Sequence, residues 1–385
     1  MAVLGVIHDT TERRADGALS IDVDIGENRT MTLSASHPLM DGRTSGSPLI
    51  TAYRGGKPER RPVWFMRQAG RSLPEYKVVR KGTEMLEACL DPALAAEITL
   101  QPVRRHDVDA GIFFSDIVIP LKLAGIDVDI VPGVGPVLGR PVRTAEDVAA
   151  LPRLDDASLD PIREAVRLVV AELGSTPLVG FAGAPFTLAA YMVEGKPSRD
   201  HLGPRTMMHA DPETWRALTD WAADASGRFL RAQVEAGASA AQLFDSWAGS
   251  LSLFDYSTFV APASVRALDH VRDTGAPLIH FGTGTSELLL AMRDVGVDVV
   301  GVDYRLPLDE ANRRLGGSTV LQGNIDPAML STPWPVLEAH VREVLAAGSA
   351  APAHVVNLGH GVPPDTDPEV LTRVVELIHS VELPA

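Results

Sequence analysis

Cysteine is almost missing from this 385-residue chain, which has only Cys89. A lone thiol excludes an internal disulfide framework, a cysteine-ligated iron–sulfur cluster and any multi-thiolate zinc site, and it suits a reducing cytoplasm. Long apolar runs are missing too, none approaching the roughly 18 residues that a membrane span requires. The first residues carry Asp9, Glu12 and Asp16 rather than a cationic stretch followed by an apolar one, so no signal peptide is expected. Positive charge is scarce: 35 Lys and Arg stand against 50 Asp and Glu, for a net charge of −15. That balance argues against a nucleic-acid or anionic-membrane surface, because nothing would neutralise phosphates. An acidic ligand would have to be held by a local cationic patch, against the field of the whole chain.

What is present is the composition of an ordinary globular protein, 45% hydrophobic and 22% charged, with a mean hydropathy of +0.06. Residues 1–47 differ from the rest. They are polar, rich in turn formers and weakly periodic, with LSIDVDI as one strand-like stretch, and they are read as a poorly structured extension. Met31 and Met40 offer alternative starts. From residue 48 to 385, short apolar runs alternate with longer amphipathic stretches. The runs are PVWFM (62–66), AGIFFS (110–115), PLVGFA (177–182), ASAAQLF (238–244), PLIHF (277–281), VDVVGV (297–302), TVLQG (319–323) and HVVNLG (354–359). Strands apolar on both faces and separated by helices must be parallel and covered all round. Eight such units predict a single (β/α)₈ barrel, with residues 126–151 inserted as a loop or small hairpin. The rival, an open doubly wound sheet, lacks a G-x-G-x-x-G turn after any strand.

Barrel sites are built where strands end. After these runs come Arg67 and Arg71, Asp116, Tyr191, Asp245 with Ser246, His280, Asp303, Asn324, and Asn357 with His360. Capping of the following helix would account for Asp303 and some of the others. Arg67 and Arg71 stand out: two guanidinium forks at the end of a buried strand suit a polycarboxylate ligand. Asp116 interrupts the apolar FFSDIVIP, where an unpaired carboxylate costs several kcal/mol. It needs either a permanent partner such as Arg67 or a ligand bearing N–H donors. His280 is followed by Phe281 and Gly282, so no His-x-Cys metal pair exists.

Taken in order and spacing, PVWFMRQAGRSLPEY, FFSDIVIP, FAGAPFTLAAYMVEG, QLFDSWAG, HFGTGT and NLGHGVPPDTDPE resemble the motifs of the uroporphyrinogen decarboxylase family, over residues 48–380. The resemblance implies a cytoplasmic, homodimeric (β/α)₈ carboxy-lyase of haem biosynthesis that needs no cofactor and no metal. Its substrate would be uroporphyrinogen III, whose four acetate arms lose CO₂ to leave the methyl groups of coproporphyrinogen III. Carried over by motif, the substrate-binding residues are Arg67, Gln68, Ala69, Gly70, Arg71, Asp116, Tyr191, Ser246 and His360, with Asp116, Arg67 and Tyr191 as the catalytic group. Ser72 departs from the pattern, since the family usually has Tyr there. Two rivals are a zinc-dependent methyltransferase of the same superfamily and a non-catalytic tetrapyrrole binder. The first needs thiolates this chain lacks; the second has no use for Asp116 and Tyr191 together.

Overall fold

The computed structural model of the chain describes residues 33–70 and 72–383, so Arg71 and the LSIDVDI stretch lie outside the described residues. Among the described residues nine strands are present: β1 (Gly111–Ile112), β2 (Val128–Val131), β3 (Gly135–Leu138), β4 (Leu178–Gly183), β5 (Ala240–Asp245), β6 (Leu278–Gly282), β7 (Val299–Gly301), β8 (Val320–Ile325) and β9 (His354–Leu358). Seven of them pair in parallel in the order β1-β4-β5-β6-β7-β8-β9. The ring closes through the extended segment at Val63. Val63 bridges Val356 in parallel, and its carbonyl accepts the Asp109 N–H at 2.8 Å on the other side. With that segment as the eighth stave, the molecule is a (β/α)₈ barrel, as the eight apolar runs predict.

Two staves are shorter than their apolar runs because side chains take over the ladder. The Phe65 N–H donates to Gln68 Oε1, the Met66 N–H to Asn357 Oδ1 and the Phe114 N–H to Thr99 Oγ1, each at 2.9 Å. The backbone is thereby satisfied while its strand turns toward the barrel mouth. Residues 126–151 form the expected excursion, with β2 and β3 as an antiparallel hairpin.

Two of the long helices open on an Asp-Pro pair. Asp91 caps Pro92–His106 by accepting the Leu94 N–H at 3.0 Å, and Asp211 caps Pro212–Ala236 in the same way. Inside the barrel, Trp64 Nε1 donates to Tyr53 Oη, Tyr53 Oη to Gln322 Oε1 and Gln322 Nε2 to Gln242 Oε1, at 3.0, 2.6 and 3.0 Å. This chain fixes helix Pro48–Tyr53 to the barrel interior.

Residues 33–47 are turns, but they are docked rather than loose. His37 Nε2 meets the Val234 carbonyl at 2.8 Å, Thr44 Oγ1 pairs with Ser239 Oγ at 2.9 Å, and Leu39 is buried. The boundary expected at 47 therefore falls within a packed stretch. Isolated anchors of this kind leave no periodicity to read.

Gln68 is a staple: fully buried, it bonds the Phe65 N–H and donates to the Ala110 carbonyl at 2.9 Å. Gln68→Leu leaves both backbone groups buried and unpaired, and should cost about 1–3 kcal/mol in a denaturant titration. An unchanged midpoint would contradict this role.

Candidate active site

The strand ends and the β2–β3 hairpin enclose a cavity of about 800 Å³ at the C-terminal face of the barrel. Arg67, Ala69, Gly70, Asp116, Tyr191, Ser246 and His360, predicted from five separate sequence segments, all line it. Gln68 does not, because its side chain points into the packing below. Arg71 lies outside the described residues.

Asp116 is half-buried and opens onto the cavity. Its Oδ1 accepts the Val118 N–H at 3.0 Å, and among the described residues no cation lies within ion-pair distance. Burial pushes its pKa above the usual carboxylate range, partly opposed by the Val118 N–H and by the nearby Arg67 charge. Arg67 sits at φ 61°, a left-handed conformation uncommon outside glycine, which lets the chain turn out of its stave. Its side chain is exposed to the cavity and has no carboxylate partner among the described residues.

Tyr191 comes from helix Pro185–Glu194, which starts as soon as β4 ends. Burial drives its phenol pKa up, the Asp116 charge adds to the rise, and Arg67 opposes it, so the hydroxyl stays protonated and able to donate. Its ring lies tilted against Trp247 at 3.8 Å between centroids, and Trp247 stacks in turn on His201 at 4.3 Å. Ser246 follows β5, with its carbonyl held by Thr283 Oγ1 at 2.6 Å. His360 has its pKa lowered by burial, then by Arg67 and Arg305, so it is a neutral imidazole at pH 7.

Glycine makes the contact between the last motif and the first possible. A Cβ on Gly361 would lie 2.4 Å from Arg67 Cδ. Gly361→Ala should displace the Arg67 side chain and lower kcat/KM about tenfold, on the scale of a mispositioned catalytic group; parent-like kinetics would contradict that contact.

The remaining strand-end residues serve the scaffold. Asn324 Nδ2 donates to the Asp303 and Leu306 carbonyls, and Asn357 Oδ1 accepts the Met66 and Leu358 N–H groups. Asp303 does not cap a helix as expected; it holds the Gly284 and Arg305 N–H groups, tying two loops together. His280 is fully buried outside the cavity, 3.7 Å from Asp245 Oδ2. Asp245 also accepts from Thr187 Oγ1 at 2.8 Å.

The sequence reading did not single out several lining residues. Arg80, just after helix Pro74–Val79, adds a second arginine to the described lining, and its guanidinium lies 5.7 Å from the Tyr76 ring centroid. Phe181, Phe244 and Phe281, in edge contacts at 5.3 and 5.9 Å, form an apolar wall. The continuous apolar runs of the strands contained these residues, but such runs do not tell core from cavity lining. Among the described residues, no group of three or more His, Cys, Asp or Glu side chains is placed to hold a metal ion. Cys89 is buried and lies outside the cavity lining.

The arrangement can hold a flat apolar ring against the phenylalanines, accept hydrogen bonds from its centre at Asp116, and grip acidic arms with arginines. Comparison with known proteins agrees with this chemistry. The model of the family described as Uroporphyrinogen decarboxylase (URO-D) matches residues 44–381. The uroporphyrinogen decarboxylase of Arthrobacter sp. (strain FB24) is 84% identical over 342 residues, covering 89% of this chain and 99% of that one. That of Leifsonia xyli subsp. xyli (strain CTCB07) is 62% identical over 368 residues, covering 90% and 98%. Among solved structures, a methyltransferase from Methanosarcina mazei superposes with a TM-score of 0.72 at 19% identity, over 87% of this chain and 98% of that one, which shows a shared fold.

Proposed function

The chain belongs to the uroporphyrinogen decarboxylase family, and from that premise we propose that its barrel mouth removes CO₂ from the acetate arms of uroporphyrinogen III to give coproporphyrinogen III. One observation carries the assignment of roles: Asp116 and Arg67 both line the cavity, and among the described residues the carboxylate has no cationic partner and the guanidinium no carboxylate one within ion-pair distance. A macrocycle with four pyrrole N–H donors at its centre and carboxylates at its rim supplies both partners. The cavity volume of about 800 Å³ falls at the upper end of the range for ligand pockets, as so large a substrate requires.

In the reaction, a proton adds to the pyrrole carbon beside the reacting arm, making the ring cationic. The C–COO⁻ bond then breaks, and its electron pair passes into that ring as CO₂ departs. Protonation of the exocyclic carbon gives the methyl group, and loss of the added ring proton restores the pyrrole. Asp116 stabilises the cation through a fixed negative charge in a site walled by aromatic rings. Arg67 binds the carboxylate of the reacting arm and is the candidate donor of the ring proton, directly or through water. Tyr191, Ser246 and His360 hydrogen-bond the remaining carboxylates, and Ala69 and Gly70 keep the wall thin enough for close approach. Arg71 is assigned to carboxylate binding by its place in the motif, and Gln68 acts by holding Arg67's segment. No step calls for a cofactor, because the ring itself is the electron sink.

The family likeness also supports a homodimer in the cytoplasm. No helix among the described residues is long and apolar enough to cross a membrane. Incubating the purified chain with reduced uroporphyrinogen III under anaerobic conditions should yield coproporphyrinogen III and four equivalents of CO₂, read by liquid chromatography and gas trapping. Bound but unconverted substrate would contradict the reading.

A further inference from the structure

Beyond β7 the chain runs Asp303-Tyr304-Arg305, and this loop is held from several sides. The Asp303 and Leu306 carbonyls accept Asn324 Nδ2, and the Asp303 carboxylate accepts the Gly284 and Arg305 N–H groups. Tyr304 packs on the Asn-Leu-Gly-His-Gly turn so closely that a Cβ on Gly359 would lie 2.2 Å from Tyr304 N. The next residue along that turn, His360, lines the cavity, and the one after it touches Arg67. Arg305, which follows Tyr304, is close enough to His360 for its charge to act on the imidazole, as does the charge of Arg67.

The Arg305 guanidinium is preorganised. It lies 4.4 Å from the Tyr304 ring centroid, and its Nη1 is paired with Asp303 Oδ2. Asp303 engages one nitrogen only. Nε and Nη2 have no partner among the described residues, and the side chain is 50% exposed. That free Nε/Nη2 edge is a two-pronged donor. Elsewhere in this molecule the same edge grips a carboxylate: Arg266 holds Asp224 through Nε and Nη2, both at 2.9 Å. Stacking and the Asp303 bond fix the side chain's direction, so little rotamer freedom remains to be lost on binding.

We propose that Arg305 is a substrate-binding residue at the cavity rim, taking through its Nε/Nη2 edge a carboxylate arm that projects past His360. The proposal rests on the polycarboxylate substrate argued above. It adds an outer cation to the inner set and gives the β7 loop a role in substrate capture. Because the contact is half-exposed, it should act on binding rather than on chemistry and be screened by salt.

The test is steady-state kinetics of Arg305→Leu and Arg305→Lys with reduced uroporphyrinogen III, at low and raised ionic strength, with thermal melts as a check on folding. Arg305→Leu should raise KM about fivefold and leave kcat within about twofold, as expected for a screened charge contact. Lysine should restore part of the affinity, and the difference between parent and Leu variant should shrink in salt. If the Leu variant melts early, Arg305→Gln replaces it, with the same expected KM rise. An unaltered KM, or a fall in kcat alone, overturns the proposal. A parent chain that binds uroporphyrinogen but releases no CO₂ would instead overturn the functional reading. An active parent with an indifferent Arg305 would overturn this proposal alone.

Discussion

Asp116→Asn should lower kcat by about 10²–10³-fold, with KM moving far less, in assays of coproporphyrinogen formation. The two side chains are nearly isosteric, and the asparagine oxygen can still accept the Val118 N–H and pyrrole N–H bonds, so ground-state binding largely survives. What disappears is the negative charge, whose worth is greatest once the ring is cationic. A kcat within about threefold of the parent would reject the electrostatic role, given that one such group usually supplies 10² or more.

The same residue should govern the acid side of the pH profile. Burial raises the pKa of Asp116 in the free protein, and the ionised form is the active one. kcat/KM, which follows the free protein, should therefore fall as pH drops through a value above the ordinary carboxylate range. In the complex, pyrrole N–H bonds favour the carboxylate, so kcat should hold to lower pH. Asp116→Asn should abolish the difference between the two limbs.

Replacing Arg67 comes second in size. Arg67→Ala should lower kcat/KM by about 10³-fold, because it removes a charge-assisted bond to the reacting arm together with the group placed to deliver the ring proton. Arg67→Lys should recover little, since a point charge cannot reproduce the two-pronged grip or the cationic reach from a backbone held at φ 61°. Both KM and kcat should change, unlike the Arg305 variants, in which KM alone moves. If Arg67→Ala raises KM with kcat preserved, Arg67 binds substrate and takes no part in the chemistry.

Much of this arrangement was legible in the residues. Eight apolar runs gave the barrel because strands covered on both faces keep their hydrophobic signature whatever surrounds them. Asp116 stood out because a carboxylate inside FFSDIVIP is costly, and Arg67 because a strand ended on it. Gln68 shows where motif reading stops: it adjoins Arg67 in sequence, yet a turn at positive φ sends its side chain into the staves. Arg80 and Trp247 escaped notice because each depends on a long-range approach that no spacing encodes. Arg80 sits 13 positions after Arg67, beyond an intervening helix, and Trp247 matters through its ring contact with Tyr191. The docking of residues 33–47 was hidden for the same reason, since His37, Leu39 and Thr44 anchor singly.

The central claim is that the Asp116 carboxylate on the cavity wall seats the centre of the macrocycle. A crystal structure with coproporphyrinogen bound under reducing conditions tests it most directly. The Asp116 oxygens should lie about 2.7–3.2 Å from pyrrole nitrogens, with Arg67 on a rim carboxylate. A macrocycle bound away from Asp116, or Asp116 paired to an arginine beneath it, would contradict the claim.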